Sequence, residues 1–287
     1  QKLALNNCKD VLKILKWNYD KGIKAYRLSS DMFPHITNRK FKVYNNNNKH
    51  LSYSISFAKP LLKEIGKTAL KYGIRLSFHP GQYNQVGTPR KNVFENTIRD
   101  LYCHAKILDI IESELELYEN KGIICIHGGG NYGDKEKTID RWILQFKLLP
   151  KRVRKRIAIE NCERCYNTID CLKICKKVKI PLIFDLHHFN CYNLINKDNN
   201  GLDEKRLRNP KKFNKLLKKI FRTWKKRNLK PYFHISEQAE NGRIGKHSDY
   251  ISTIPEWLLN VDFQLTLDVE AKAKEKAILY LKHKYNL

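Results

Sequence analysis

The stretch Ile157-Ala158-Ile159-Glu160-Asn161, followed by Leu182-Ile183-Phe184-Asp185-Leu186-His187-His188, decides the fold. Each segment opens with a short apolar run that stops on a carboxylate. Between them, Ile169–Lys176 spaces its apolar residues three and four apart, the pattern of a helix that covers a sheet. A strand, a covering helix and a second strand form a parallel crossover. The same unit repeats in both directions. Strands are predicted at Ala25–Ser29, Arg75–His79, Ile123–His127, Ile157–Glu160, Leu182–Asp185, Tyr232–Ile235 and Gln264–Val269. Helices are predicted at Val11–Tyr19, Ala58–Lys71, Val93–Leu117, Lys137–Lys147, Ile169–Lys176, Pro210–Arg227 and Ala271–His283.

This alternation predicts an α/β fold, a (β/α)8 TIM-type barrel built by residues 1–287 as a single domain. Seven strands are visible and the chain opens on a helical pattern, so the first strand of the barrel is expected upstream of Gln1. An open doubly wound sheet is the alternative. Linkers are short, and mobile loops are predicted at Asn38–Leu51 and Asn193–Asp203.

The charge narrows the partner. With 56 Lys and Arg against 29 Asp and Glu, the 287-residue chain carries a formal net charge of +27. A field that positive captures polyanions, nucleic acid above all. A genome rich in A·T pairs would also favour Lys and Asn codons, as in the run Asn45–Asn48. No apolar run approaches the length that spans a bilayer, and no signal peptide is visible, so a soluble intracellular protein is expected. The eight cysteines do not form a secreted disulfide pattern. The loop between Cys162-x-x-Cys165 and Cys171 is too short for a zinc ribbon, and Cys171 and Cys175 lie one helical turn apart, so buried thiols are expected.

Function is written at the strand ends. His79, His127, Glu160, Asp185, His234 and Glu270 each close a predicted strand. The carboxyl ends of parallel barrel strands converge on one face, so these side chains meet in one cup. Helix capping explains an occasional polar residue there, but not six in succession that are all His, Asp or Glu. Carboxylates mixed with imidazoles suit Mn²⁺ or Zn²⁺ and offer ligands for more than one ion. His188 and His247-Ser248-Asp249 extend the set from neighbouring loops, whereas His35, His50, His104 and His283 read as ordinary structural residues. A cup of several ions suits phosphate-ester hydrolysis, and the basic surface then supplies substrate binding. Metal-dependent sugar isomerases use similar barrels but have no need of such charge. His127-Gly128-Gly129-Gly130 lacks a G-x-S-x-G partner, so a lipase is excluded, and its glycines are expected to bring backbone close to metal or phosphate.

These segments resemble the UV damage endonuclease family. The resemblance runs through Trp17-Asn18, Tyr26-Arg27-Leu28-Ser29-Ser30-Asp31, Phe78-His79-Pro80-Gly81-Gln82-Tyr83, Ile126-His127-Gly128-Gly129 and Ile159-Glu160-Asn161. It continues through Phe184-Asp185-Leu186-His187-His188, His234-Ile235-Ser236, His247-Ser248-Asp249-Tyr250 and Val269-Glu270-Ala271-Lys272. It implies a barrel similar to endonuclease IV that nicks double-stranded DNA 5′ to ultraviolet photoproducts (cyclobutane pyrimidine dimers and 6-4 photoproducts) as a monomer. It implies two or three divalent ions, Mn²⁺ first and Zn²⁺ as the alternative. Glu160, Asp185 and Glu270 are the implied catalytic carboxylates. Glu160 would bridge two ions, one shared with His79 and His127, the other held by Asp185, His234 and Glu270. A third would take His188 and His247, with Asp249 as a further ligand. Gln82 and Tyr83 match the pair that probes the lesion.

The chain departs from the family where Asn38 replaces a His, with His35 offset, and where Tyr232 replaces a lysine that some members carboxylate. Two other readings stand beside the leading one: an abasic-site endonuclease of the endonuclease IV type, and a catalytically inactive basic DNA-binding protein.

Overall fold

The computed structural model describes residues 1–41, 48–116, 120–196 and 210–287. Parts of the predicted loops Asn38–Leu51 and Asn193–Asp203, and the end of the predicted helix Val93–Leu117, lie outside the described residues. The described chain divides into two compact units, Gln1–Ala158 and Ile159–Leu287.

In the first unit, strands β1 (Ala25–Leu28), β2 (Arg75–Phe78) and β3 (Ile123–His127) are parallel, with Leu28 beside Phe78 and Phe78 beside Ile124. Helices Lys2–Asp20, Lys59–Tyr72, Lys91–Ile111, Lys135–Leu148 and Lys151–Arg156 accompany them. Their apolar stripes turn inward: Leu62, Ile65, Leu101, Ile107, Leu108 and Trp142 are buried. Two helices approach closely at Gly66, where an added Cβ would collide with the Ile111 carbonyl oxygen. The helix Lys59–Tyr72 ends on Gly73 at φ +63°, a left-handed stop that an L side chain resists.

The second unit holds the Ile159–Glu160 half of β4 (Ile157–Glu160), with β5 (Leu182–Asp185), β6 (Tyr232–Ile235) and β7 (Thr266–Val269), again parallel. The helix Thr168–Val178 starts on a reciprocal cap: Asn167 accepts from the backbone N–H of Ile169 and Asp170, while Asp170 accepts from that of Asn167. Cys171 and Cys175 are buried on this helix, and none of the eight cysteines, all among the described residues, is in a disulfide. Trp224, on the helix Pro210–Lys225, donates to the Leu182 carbonyl at 2.7 Å and ties that helix to β5.

Each predicted strand is present, four with the predicted bounds and three shorter by a residue or two. One placement changes. His187 and His188 belong to the helix Leu186–Asn196, which starts directly after β5, and not to a loop. That helix also takes in Asn193–Asn196 of the second predicted loop. The short helices Lys151–Arg156 and Glu256–Leu259 carry no repeated apolar period, so the sequence pattern passes over them. Among the described residues no helix is long and apolar enough to cross a membrane.

Candidate metal centre

Register alone gathers the second unit's ligands. Glu160 lies beside Ile183, and Asp185 is two residues further along β5, so both point to the same face of the pleat. Asp185 lies beside His234, and His234 beside Asp268, two residues before Glu270. Four strand ends therefore present Glu160, Asp185, His234 and Glu270 together. One ligand atom from each lies within 4.8 Å of all the others.

The cluster is dry. Glu160 and Asp185 have no exposed surface, and His234 retains 1%. Three carboxylates so close together repel one another, and the surrounding imidazoles supply the countercharge. His234 Nδ1 lies 3.0 Å from Glu160 Oε1, 3.3 Å from Glu270 Oε1 and 3.8 Å from Asp185 Oδ2. His188 Nδ1 lies 3.2 Å from Glu160 Oε1 and 3.1 Å from the Asn161 carbonyl. A carbonyl only accepts, so that nitrogen carries the proton. The carboxylates hold the His188 imidazolium well above its ordinary range against the opposing pull of burial. Burial, then the charges of Glu160 and Glu270, push the Asp185 carboxyl up to about 7 even though His188 and His234 draw it down.

One atom in this cluster has no hydrogen bond. Asp185 Oδ1 accepts from the His188 backbone N–H at 2.7 Å, but the buried Oδ2 has no hydrogen-bond partner. A buried acceptor left unmade is costly. This one is aimed among carboxylates and imidazoles, so a divalent cation fits the donor set. The backbone behind it is fixed. The Asn161 side chain donates to the Asp185 carbonyl at 2.9 Å and accepts from the Asp185 N–H at 3.0 Å.

Three imidazoles adjoin this cluster. His187 is buried with its ring 5.1 Å from that of His247, and His188 lies 6.1 Å from His247. Burial, then His247 and His188, lower the His187 pKa to about 4, so it is neutral. His247 Nδ1 lies 2.8 Å from Ser236 Oγ and 3.1 Å from the Glu270 carbonyl. The carbonyl fixes the proton on Nδ1 and leaves Nε2 with a free lone pair. Asp249 is exposed and stands in none of the groups of atoms that could hold an ion among the described residues.

The first unit holds His79 and His127, with ring centroids 5.0 Å apart. His79 directly follows β2, and His127 closes β3. Beyond His79 the chain turns. Asn84 N–H donates to the Gly81 carbonyl at 3.1 Å, which makes Gln82 and Tyr83 the central pair of a tight turn. Both side chains are exposed, Tyr83 at 81%. The turn is braced from behind, because Asn84 donates to Asp100 at 2.7 Å and Gln85 N–H to Thr97 Oγ1 at 3.1 Å. Gly129 adopts φ +94° with Gln85 Cγ 3.4 Å from where a Cβ would sit. What that glycine supplies in the described structure is a left-handed turn packed on Gln85.

The remaining residues fall into place. His104 is structural, with one nitrogen on the Asp100 carbonyl and the other on Ser30 Oγ. Asn38 accepts from the Lys40 N–H in a local turn. Tyr232 is buried with its hydroxyl 3.3 Å from Asp268 Oδ2, and Asp268 in turn lies 3.9 Å from His234 Nε2. Sequence reasoning passed over Asn161, Ser236 and Asp268 as supports of the site. Asp268 had a signal, since it sits two residues before Glu270 on the same face. The other two act through loop contacts that no periodicity encodes.

A family model described as UV-endonuclease UvdE matches residues 1–287. A relative from Acanthamoeba polyphaga mimivirus that bears the UV-damage endonuclease name is 36% identical over 286 residues, 98% of this chain and 79% of that protein. The UV-damage endonuclease of Neurospora crassa is 33% identical over 292 residues, covering all of this chain, which spans only 41% of that longer protein. The crystal structure of SacUVDE superposes with a TM-score of 0.78 at 29% identity, over 99% of this chain and 88% of that one. The fold class is the α/β barrel type expected from the sequence.

Proposed function

The chain belongs to the UV-endonuclease UvdE family and is an endonuclease, and we propose that it cuts double-stranded DNA 5′ to ultraviolet photoproducts with divalent metal ions. The observation that carries the metal reading is the convergence of Glu160, Asp185, His234 and Glu270 within 4.8 Å around the unbonded Asp185 Oδ2. Asp185, His234 and Glu270 would hold one ion, with Glu160 as the shared carboxylate. His188 and His247 would hold another, and His79 and His127 supply two further imidazole ligands. Asp249 is a weaker candidate, because it is exposed. Manganese is the first choice and zinc the second. We read residues 1–287 as one endonuclease domain acting inside the cell as a soluble monomer.

When bound, such ions supply an activated water and neutralise charge on the phosphate. The protein's own part is to hold the ligands still. His188 N–H fixes one Asp185 oxygen and leaves the other for the cation. Asn161 locks β4 to β5, and the Glu270 carbonyl accepts from Ser236 Oγ at 2.6 Å while the same carbonyl sets the His247 tautomer. Gln82 and Tyr83, exposed on a braced turn, have the shape to fill the gap left by an unstacked dinucleotide.

The test is nicking of duplexes that carry one thymine dimer, one abasic site or no lesion, by EDTA-treated protein with and without added Mn²⁺ or Zn²⁺. Metal-dependent cutting beside the dimer is expected. Equal cutting at the abasic site would favour the endonuclease IV-type reading. Tight binding without cutting under any metal would favour the inactive DNA-binding protein.

A further inference from the structure

Residues 205–236 contain thirteen Lys and Arg and no Asp or Glu. The helix Pro210–Lys225 occupies the middle of this stretch. Its apolar residues Phe213, Leu216, Leu217, Ile220 and Trp224 are buried. At about 100° per residue, Lys215, Lys218, Lys219, Arg222, Lys225 and Lys226 fall on the opposite side of the helix. All six are exposed, and among the described residues none has an ion pair.

Such a stripe carries a cost. Lys215 and Lys219, Lys218 and Arg222, and Arg222 and Lys226 stand four apart, and like charges at that spacing destabilise a helix. The helix Lys2–Asp20 handles its lysines differently: Lys13 pairs with Asp10 at 2.9 Å and Lys16 with Asp20 at 2.6 Å. A helix that omits every such acid is built for an external polyanion. The stripe runs about 16 Å from Lys215 to Lys226, the axial length of roughly five base pairs. A membrane surface is a poor match, because the helix has already spent its apolar face on the core.

We infer that the cationic face of the helix Pro210–Lys225 is a docking track for the phosphate backbone of duplex DNA, independent of lesion and of metal. It would hold undamaged DNA while the enzyme searches. This rests on the reading that DNA is the substrate, but it is tested separately. The probe is an undamaged duplex, with binding followed by fluorescence anisotropy over a series of salt concentrations. The variant is Lys218→Gln, Lys219→Gln, Arg222→Gln and Lys226→Gln together.

If all four cations contact phosphates, the slope of log K against log salt should become shallower by about 3 to 4. Affinity at low salt should fall at least ten-fold, with or without EDTA. The melting temperature should stay the same or rise, because like-charge pairs have been removed. Nicking of a dimer-bearing duplex at saturating concentration should persist. An unchanged slope in the folded variant would overturn the proposal. So would retained DNA binding with lost binding to poly-glutamate, which would assign the track to an acidic protein instead. If the parent protein nicks nothing yet the slope still depends on the stripe, the track stands and the catalytic reading fails.

Discussion

The strand ends of β4 to β7 and the turn after β2 both carry conspicuous polar residues, and the structure treats them in opposite ways. At the strand ends Glu160, Asp185 and His234 are buried and crowded together. Their positions are set by backbone pairing, and their energy by one another. At the turn, Gln82 and Tyr83 are exposed while the backbone beneath them is tied down through Asn84 and Gln85. The first arrangement fixes side-chain atoms and stores repulsion. The second fixes only the main chain and leaves the side chains free to meet something outside. A site that must hold cations needs the former; a probe that must enter a duplex needs the latter.

The largest expected effect tests the buried half. Glu160→Gln keeps the shape but removes the charge central to the cluster. Losing a mere supporting partner of a metal ligand costs about 10–100-fold, so cleavage should fall by more than about 100-fold while duplex binding survives. Near-normal nicking by this variant would refute the role given to Glu160.

The exposed half should respond more mildly and differently. Replacing Gln82 and Tyr83 together with Ala should reduce preference for dimer-bearing over intact duplex by about ten-fold, since aromatic–base stacking is worth about 1–3 kcal/mol. Bound metal, measured by elemental analysis, should not change. If lesion preference survives, the lesion is read elsewhere; if metal content falls, the turn is not separable from the buried cluster.

Asp185 offers a smaller effect of unusual sign. Its carboxyl is raised from the ordinary 3.8 to about 7. The folded, metal-free state thus holds this proton more tightly than the unfolded chain. Stability from this group is complete below about pH 4 and is lost as pH rises through 7. Asp185→Asn mimics the protonated form, so in EDTA at pH 8 the variant should melt a few degrees higher than the parent. With metal present the order should reverse. For the parent, divalent-ion affinity should strengthen from pH 6 to pH 8, with proton release seen as buffer-dependent heat in calorimetry. A pH-independent binding heat would break this account.

The gentlest change is Ser236→Ala. It removes one contact to His247 Nδ1 and leaves the Glu270 carbonyl to hold the tautomer. Metal affinity should drop only a few-fold, toward the low end of supporting-contact effects. A loss as deep as that of Glu160→Gln would mean that Ser236 does more than orient a ring.

The sequence by itself determined the alternation of strands and helices and the residues at the strand ends. Both follow from short-range physics: apolar spacing sets the element, and a polar residue after a buried run must lie at its end. It also predicted that His104 is structural and that the cysteines are buried, which holds for seven of the eight, Cys165 being only half-buried. Only the tertiary structure decided which strand-end atoms share a space, because that depends on register. The pairing of Glu160 with Ile183 and of Asp185 with His234 puts four ligands on one face, and a one-residue slip would scatter them. It also placed His187 and His188 on a helix, exposed Asp249, and brought in Asn161 and Ser236 as supports. Those outcomes rest on contacts between residues far apart in the chain. Their energies are those of burial and hydrogen bonding in three dimensions, which no local pattern of residues carries.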